Sequence, residues 1–127
     1  MVVGEQLMSK NRLLRKWERE EVVILVVEYF RAKHLSSEEI EISHWQVSNF
    51  LRKREEILTK KSVSDEFRDY AGIRMQWGKV RCLDPDTKYN GMHGSRLQRE
   101  IVTEYLANPH KLIQEARHIY RKYNAIE

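Results

Sequence analysis

Apolar residues along this chain recur mostly at intervals of three and four, the spacing that places them on one face of a helix. Leu13, Leu14 and Trp17 begin the pattern, and a first helix is predicted from Trp17 to about Lys33, with Glu18, Glu20 and Glu21 suited to its N-terminal turn. Within it, the run Val22 to Val27 is uninterrupted and rich in β-branched residues. Such a run fits a buried strand or a buried helix. Its flanks, EREE and EYFRAK, contain strong helix formers and no turn residues, which favours the helix. Residues 1–14 read as a polar lead-in.

His34 to Glu41 reads as a loop. Ser43 and Gln46 have the spacing of a capping box and open a second helix, with Trp45, Val47, Phe50 and Leu51 facing inward and Arg52, Lys53 and Arg54 forming a basic end. Thr59 to Val63 is a polar connection. Ser64 caps a third helix that runs to about Arg81, on which Phe67, Tyr70, Ile73, Trp77 and Val80 form an apolar stripe. Gly72 and Gly78 weaken that helix and suggest close approach of another helix or of a phosphate backbone. Asp84-Pro85 stops it. After a loop containing Asn90-Gly91, Ser95 and Gln98 form a second capping-box spacing, and a fourth helix runs to Ala107 with Leu97, Ile101, Val102 and Tyr105 inward. Asn108-Pro109 opens a fifth, with Leu112, Ile113, Ala116, Ile119, Tyr120 and Tyr123 inward.

The expected fold is therefore all-α, with about five helices in a single domain over 15–127. Residues 15–85 would form a helix-turn-helix-like triad, and the two helices of 95–124 a C-terminal extension. A chain of 127 residues supports one ordinary domain. The net charge of +4 favours an acidic partner, and its basic residues are spread along the chain, so any basic face must be assembled by folding. Cys82 is the only cysteine, which excludes a disulfide framework within one chain and suits a reducing cytoplasm. The apolar run of Val22–Val27 is far too short to cross a bilayer, and the N-terminal residues lack a signal-peptide layout. A cytoplasmic location is expected.

Catalytic chemistry finds little support. His34, His44, His93, His110 and His118 include no pair at metal-ligand spacing on one helix, and no Gly-rich phosphate loop is present. Gly91-Met92-His93-Gly94-Ser95 puts a histidine near a serine, but a turn followed by a helix cap accounts for it. No catalytic residue, metal or cofactor is assigned. The third helix offers more. With Ile73, Trp77 and Val80 turned inward, its other side presents Arg74, Gln76, Gly78, Lys79 and Arg81, preceded by Arg68. Arginine and glutamine bind guanine and adenine edges bidentately, and lysine holds phosphates. The same spacing also describes an ordinary charged helix face.

Ala71–Pro85, AGIRMQWGKVRCLDP, resembles a segment N-terminal to the nuclease in bacterial HNH endonucleases of the restriction type. Ile73, Met75, Trp77, Gly78, Val80 and Leu83-Asp84-Pro85 occupy the family's positions, while Gln76 and Lys79 depart from its Lys and Asn. Phe67-Arg68-Asp69 is similar to the family's Phe-Arg-Asn, and Gly91 to Glu100 to its Gly-Leu-x-x-Gly-Ser-Lys-Leu-x-x-Glu. Trp17, Glu20, Glu21 and Tyr29-Phe30 resemble its opening helix. The likeness covers roughly residues 17–110. It implies engagement of double-stranded DNA beside a nuclease domain or subunit. The family's His-Asn-His site lies beyond this module, so these residues are expected to recognise DNA and not to cut it. Groove contact is expected from Arg68, Arg74, Gln76, Lys79 and Arg81, and phosphate contact from Lys60, Lys61, Arg96 and Arg99. The alternative is a protein-interaction module, a partner or inhibitor of a nuclease complex, without DNA affinity.

Overall fold

The computed structural model describes residues 15–124, so the lead-in of residues 1–14 lies outside the described residues. Among these, five helices and no strand are present: α1 (Arg19–Ala32), α2 (Ser37–Thr59), α3 (Tyr70–Leu83), α4 (Arg96–Ala107) and α5 (Pro109–Asn124). The Val22–Val27 run is helical. It is apolar on nearly every side because α1 is the central element and packs against all four other helices. The two C-terminal helices, expected as an extension, lie directly on α1 and share its core. Phe30 of α1 stacks on Tyr105 of α4 with centroids 4.2 Å apart, and Phe50 of α2 meets Tyr120 of α5 at 4.6 Å.

Two helix starts differ from the sequence reading. The second helix begins at Ser37, well inside the expected loop. Ser36 is its cap: the Ser36 hydroxyl accepts from the Glu39 amide at 3.2 Å, and the Glu39 carboxylate accepts from the Ser36 amide at 3.4 Å. Ser43 is consequently a buried mid-helix residue that accepts from Arg31, and Trp45 faces outward at 51 % exposure. The third helix begins at Tyr70, with Asp69 accepting from the Gly72 amide at 2.8 Å. Ser64 does not cap it, because Arg68 sits in the left-handed region at φ 46° and interrupts any continuous helix from 64. Phe67 is buried all the same, from the connection and not from a helix. The remaining caps follow the sequence: Ser95 with Gln98, and Asn108 accepting from the Lys111 amide at 3.2 Å.

The connection before α3 is held from α2. Nη1 of Arg52 lies 2.9, 3.2 and 2.6 Å from the carbonyls of Ser64, Asp65 and Phe67. Arg54 is buried and pairs with Glu18 and Glu20, each at 3.0 Å. Arg52 and Arg54 are thus structural and do not form a solvated basic end.

Gly94 marks the tightest packing at the start of α4. A Cβ there would stand 2.5 Å from Leu83 Cδ1. Gly94→Ala is expected to destabilise the fold by about 1–3 kcal/mol through overpacking. The shift in urea midpoint measures it, and Leu83→Ala in the same chain should recover part of the loss.

Candidate nucleic-acid interface

At 3.6 residues per turn, α3 divides into an inward face of Ile73, Trp77 and Val80 and an outward face with two edges. Arg74 and Arg81 lie along one edge, Gln76 and Lys79 along the other, and Ala71, Met75 and Gly78 between them. The structure brings the predicted residues together in two separate depressions flanking the helix.

The first is a groove of about 800 Å³ bounded by α1, α2, α3 and the 86–94 loop. Arg74 and Arg81 line it, together with Lys33 and His44, neither of which the sequence singled out as a site residue. Among the described residues, Arg74 meets no carboxylate at ion-pair distance, and nor does Arg81, whose guanidinium carbon lies 3.9 Å from the Tyr89 ring centre. His44 is 7 % exposed, wedged edge-on against Trp77 at 4.6 Å and Tyr70 at 5.7 Å. Burial, followed by the Arg74 charge, lowers its pKa and keeps the ring neutral near pH 7. Tyr70 in turn stacks on the exposed Trp45 at 4.7 Å.

The floor of this groove is braced by Asp84. Its carboxylate accepts from Tyr29 at 2.7 Å, Lys33 at 2.8 Å and the Asp86 amide at 3.0 Å. Burial alone would raise the Asp84 pKa; the Lys33, Asp86-amide and Tyr29 hydrogen bonds outweigh it and hold the pKa below the ordinary aspartate value. The resulting stabilisation is complete above the unfolded value and is lost as pH falls through the lower folded one. Asp84→Asn is expected to cost about 1.5–3 kcal/mol near pH 6. Denaturation of both proteins from about pH 6 to about pH 2 should show the gap closing in acid.

The second depression, of about 710 Å³, is lined by Gln76 and Lys79 from α3, Arg96 and Gln98 from α4, and Lys16 and Trp17. Gln76 already uses its carbonyl oxygen, accepting from Gln98 at 2.7 Å, so a bidentate adenine contact would require that bond to break. Arg96 pairs with Glu100 at 3.1 Å on the exposed surface, a weak hold. Lys79 is half-buried and has no hydrogen bond or ion pair among the described residues.

The remaining expected contacts fall elsewhere. Arg68 is a correction: it is 6 % exposed and donates to the fully buried Glu21 at 2.8 Å, so it cannot meet a groove. Exposed Lys60 and Lys61 follow α2 and line neither depression. Exposed Arg99 donates to the Gly94 carbonyl at 2.8 Å. Gly78 accommodates neither a helix nor a phosphate backbone: a Cβ there would come within 2.8 Å of Met92 Sδ, from the loop that covers this part of α3.

Besides Lys33 and His44, the sequence reading missed the outer face of α5, where His110, Lys111, Arg117, His118 and Arg121 are all exposed. The three-and-four spacing that marks α3 is present there too. Lys33 and His44 carried no such signal, since α1 and α2 reach the groove only through tertiary packing. Among the described residues no group of three His, Cys, Asp or Glu is placed to hold a metal ion, and no helix is long and apolar enough to cross a membrane. Comparison with protein-family models, with curated proteins and with solved structures found no match to this chain.

Proposed function

We propose that this chain is a DNA-binding module that engages duplex DNA with the outward face of α3. One observation carries the reading. Among the described residues, Arg15, Arg19, Arg31, Arg54 and Arg68 are all committed to carboxylates, whereas Arg74, Lys79 and Arg81 of α3 are not. The fold thus neutralises its cations around α1 and leaves those of α3 available to phosphates. The likeness of Ala71–Pro85 to the module that precedes HNH nucleases supports the same assignment. Met92 on Gly78 keeps the centre of the helix from deep groove insertion, so Arg74, Arg81 and Lys79 act from the two edges, with Arg96 alongside.

A fluorescence-polarisation titration against a plain duplex at two salt concentrations tests the proposal. Three phosphate contacts predict a slope of roughly −3 in log affinity against log salt, about a 40-fold loss between 50 and 200 mM. Absence of any salt-dependent affinity rejects it. A second reading, a protein-interaction module, draws on Ile42 and Trp45, exposed at 55 % and 51 % and one helical turn apart on α2. It predicts a flat DNA titration.

A further inference from the structure

The groove between α1, α2, α3 and the 86–94 loop is more aromatic than phosphate-backbone contact requires, with Tyr29, Tyr70, Trp77 and Tyr89 on its walls. Three cations, Lys33, Arg74 and Arg81, line it; Lys33 is held by Asp84 at 2.8 Å and Asp86 at 3.1 Å, which leaves Arg74 and Arg81 without a carboxylate among the described residues. Two buried polar groups on its walls have no hydrogen-bond partner among the described residues: the ring nitrogens of His44 and Nε of Arg81. Buried polar groups are ordinarily satisfied, so unpartnered ones on the wall of a cavity point to a ligand. A neutral imidazole offers one donor and one acceptor, the complement of a planar heterocycle edge. A guanidinium stacked on tyrosine leaves its in-plane N–H groups for an oxyanion. Arg74 and Arg81 are seven residues apart on α3, about 10 Å along its axis, which spans a nucleotide but exceeds a lone phosphate.

We propose that this groove binds one nucleotide unit, its phosphate held by Arg81 on Tyr89 and its base set beside Arg74 and the Tyr70 and His44 rings. The inference deepens the duplex reading, with which it shares the two arginines. The nucleotide is supplied either free in solution or as one residue of a nucleic-acid strand. Both sources present the same chemistry to the groove. The His44 ring lies edge-on to the half-buried Tyr70 ring at 5.7 Å, and Tyr70 is itself stacked on Trp45.

Met75 and Met92 both line the groove, so their methyl groups report occupancy. Methionine-methyl-labelled protein is titrated by NMR with the four deoxynucleoside 5′-monophosphates, a single-stranded tetranucleotide, unphosphorylated nucleosides and inorganic phosphate, each to ~10 mM. Saturable Met92 and Met75 shifts from mononucleotides identify a free source; saturation by the tetranucleotide alone identifies a strand source. Either supports the site. Arg81→Gln and Tyr89→Ala, checked for helicity by circular dichroism, should each weaken binding roughly tenfold, with Arg117→Gln on α5 unchanged. No saturable shift from any nucleotide, or equal shifts from inorganic phosphate alone, overturns the inference. Duplex polarisation on the same samples separates the two proposals. Duplex affinity without nucleotide shifts removes this site and leaves DNA binding standing; nucleotide shifts without duplex affinity do the reverse.

Discussion

Glu21→Ala is expected to destabilise the fold by about 3–5 kcal/mol, a fall in Tm of roughly 12–20 °C for a domain of this size. Glu21 is fully buried in the first turn of α1 and accepts from Arg68 at 2.8 Å, Arg15 at 3.1 Å and the Glu18 amide at 2.9 Å. Burial alone would raise its pKa; Arg68, the Glu18 amide and Arg15 together hold it low instead. Removing the carboxylate leaves the Arg68 guanidinium, packed between Trp17 at 4.7 Å and Phe67 at 4.6 Å, with only the Arg15 carbonyl at 3.3 Å to accept from it among the described residues. The damage spreads further because Arg68 has left-handed backbone and immediately precedes the Asp69 cap. The ion pair therefore also fixes where α3 starts. Thermal and urea denaturation measure the loss; a change below about 1 kcal/mol would show the pair to be solvated. Glu21→Leu with Arg68→Met should recover much of the stability, since cost arises chiefly when one charge is buried alone.

The double substitution Arg74→Ala with Lys79→Ala is expected to leave stability nearly unchanged and to weaken duplex binding more than about tenfold at ~0.1 M salt. Neither side chain has a hydrogen bond or ion pair among the described residues, and they lie on opposite edges of the outward face. The salt slope should fall by about 2, one for each phosphate contact removed. Arg68→Ala provides the contrast: it should weaken binding only in proportion to the protein it unfolds. Polarisation titrations with parallel circular dichroism separate the two cases. Unchanged affinity in a folded Arg74→Ala/Lys79→Ala protein would reject α3 as the DNA-contacting helix.

Periodicity made all five helices legible, together with the Ser95–Gln98 and Asn108–Pro109 starts, because those caps depend only on residues within one turn. It failed where two caps competed. Ser36 with Glu39 and Ser43 with Gln46 have the same spacing, and the second lost because Glu38 and Glu39 also suit a first turn. At the third helix, Ser64 competed with Asp69, and the decision rested on the backbone of Arg68, itself pinned by a partner 47 positions earlier. No local rule contains that information. The site divides in the same way. Arg74, Lys79 and Arg81 are visible because helical spacing alone puts them at the two edges of the Ile73, Trp77 and Val80 stripe. Arg68 looked identical in sequence, and only the buried Glu21 distinguishes it. His44 and Lys33 are brought to the groove by packing between helices and leave no mark in the spacing.

The central position of α1 has a consequence during synthesis. Its apolar surface is covered in part by Leu112, Ala116 and Ile119 of α5, the last of the five helices to be made. At about 5–20 residues per second, the Val22–Val27 run waits roughly 5–20 s after it is made before its final cover exists. During that interval a β-branched, uncharged six-residue segment is exposed on a nascent chain, the kind of window that pairs with other chains as strands. The arrangement that makes α1 the organiser of the finished fold also leaves its apolar run without its final cover until α5 has been made.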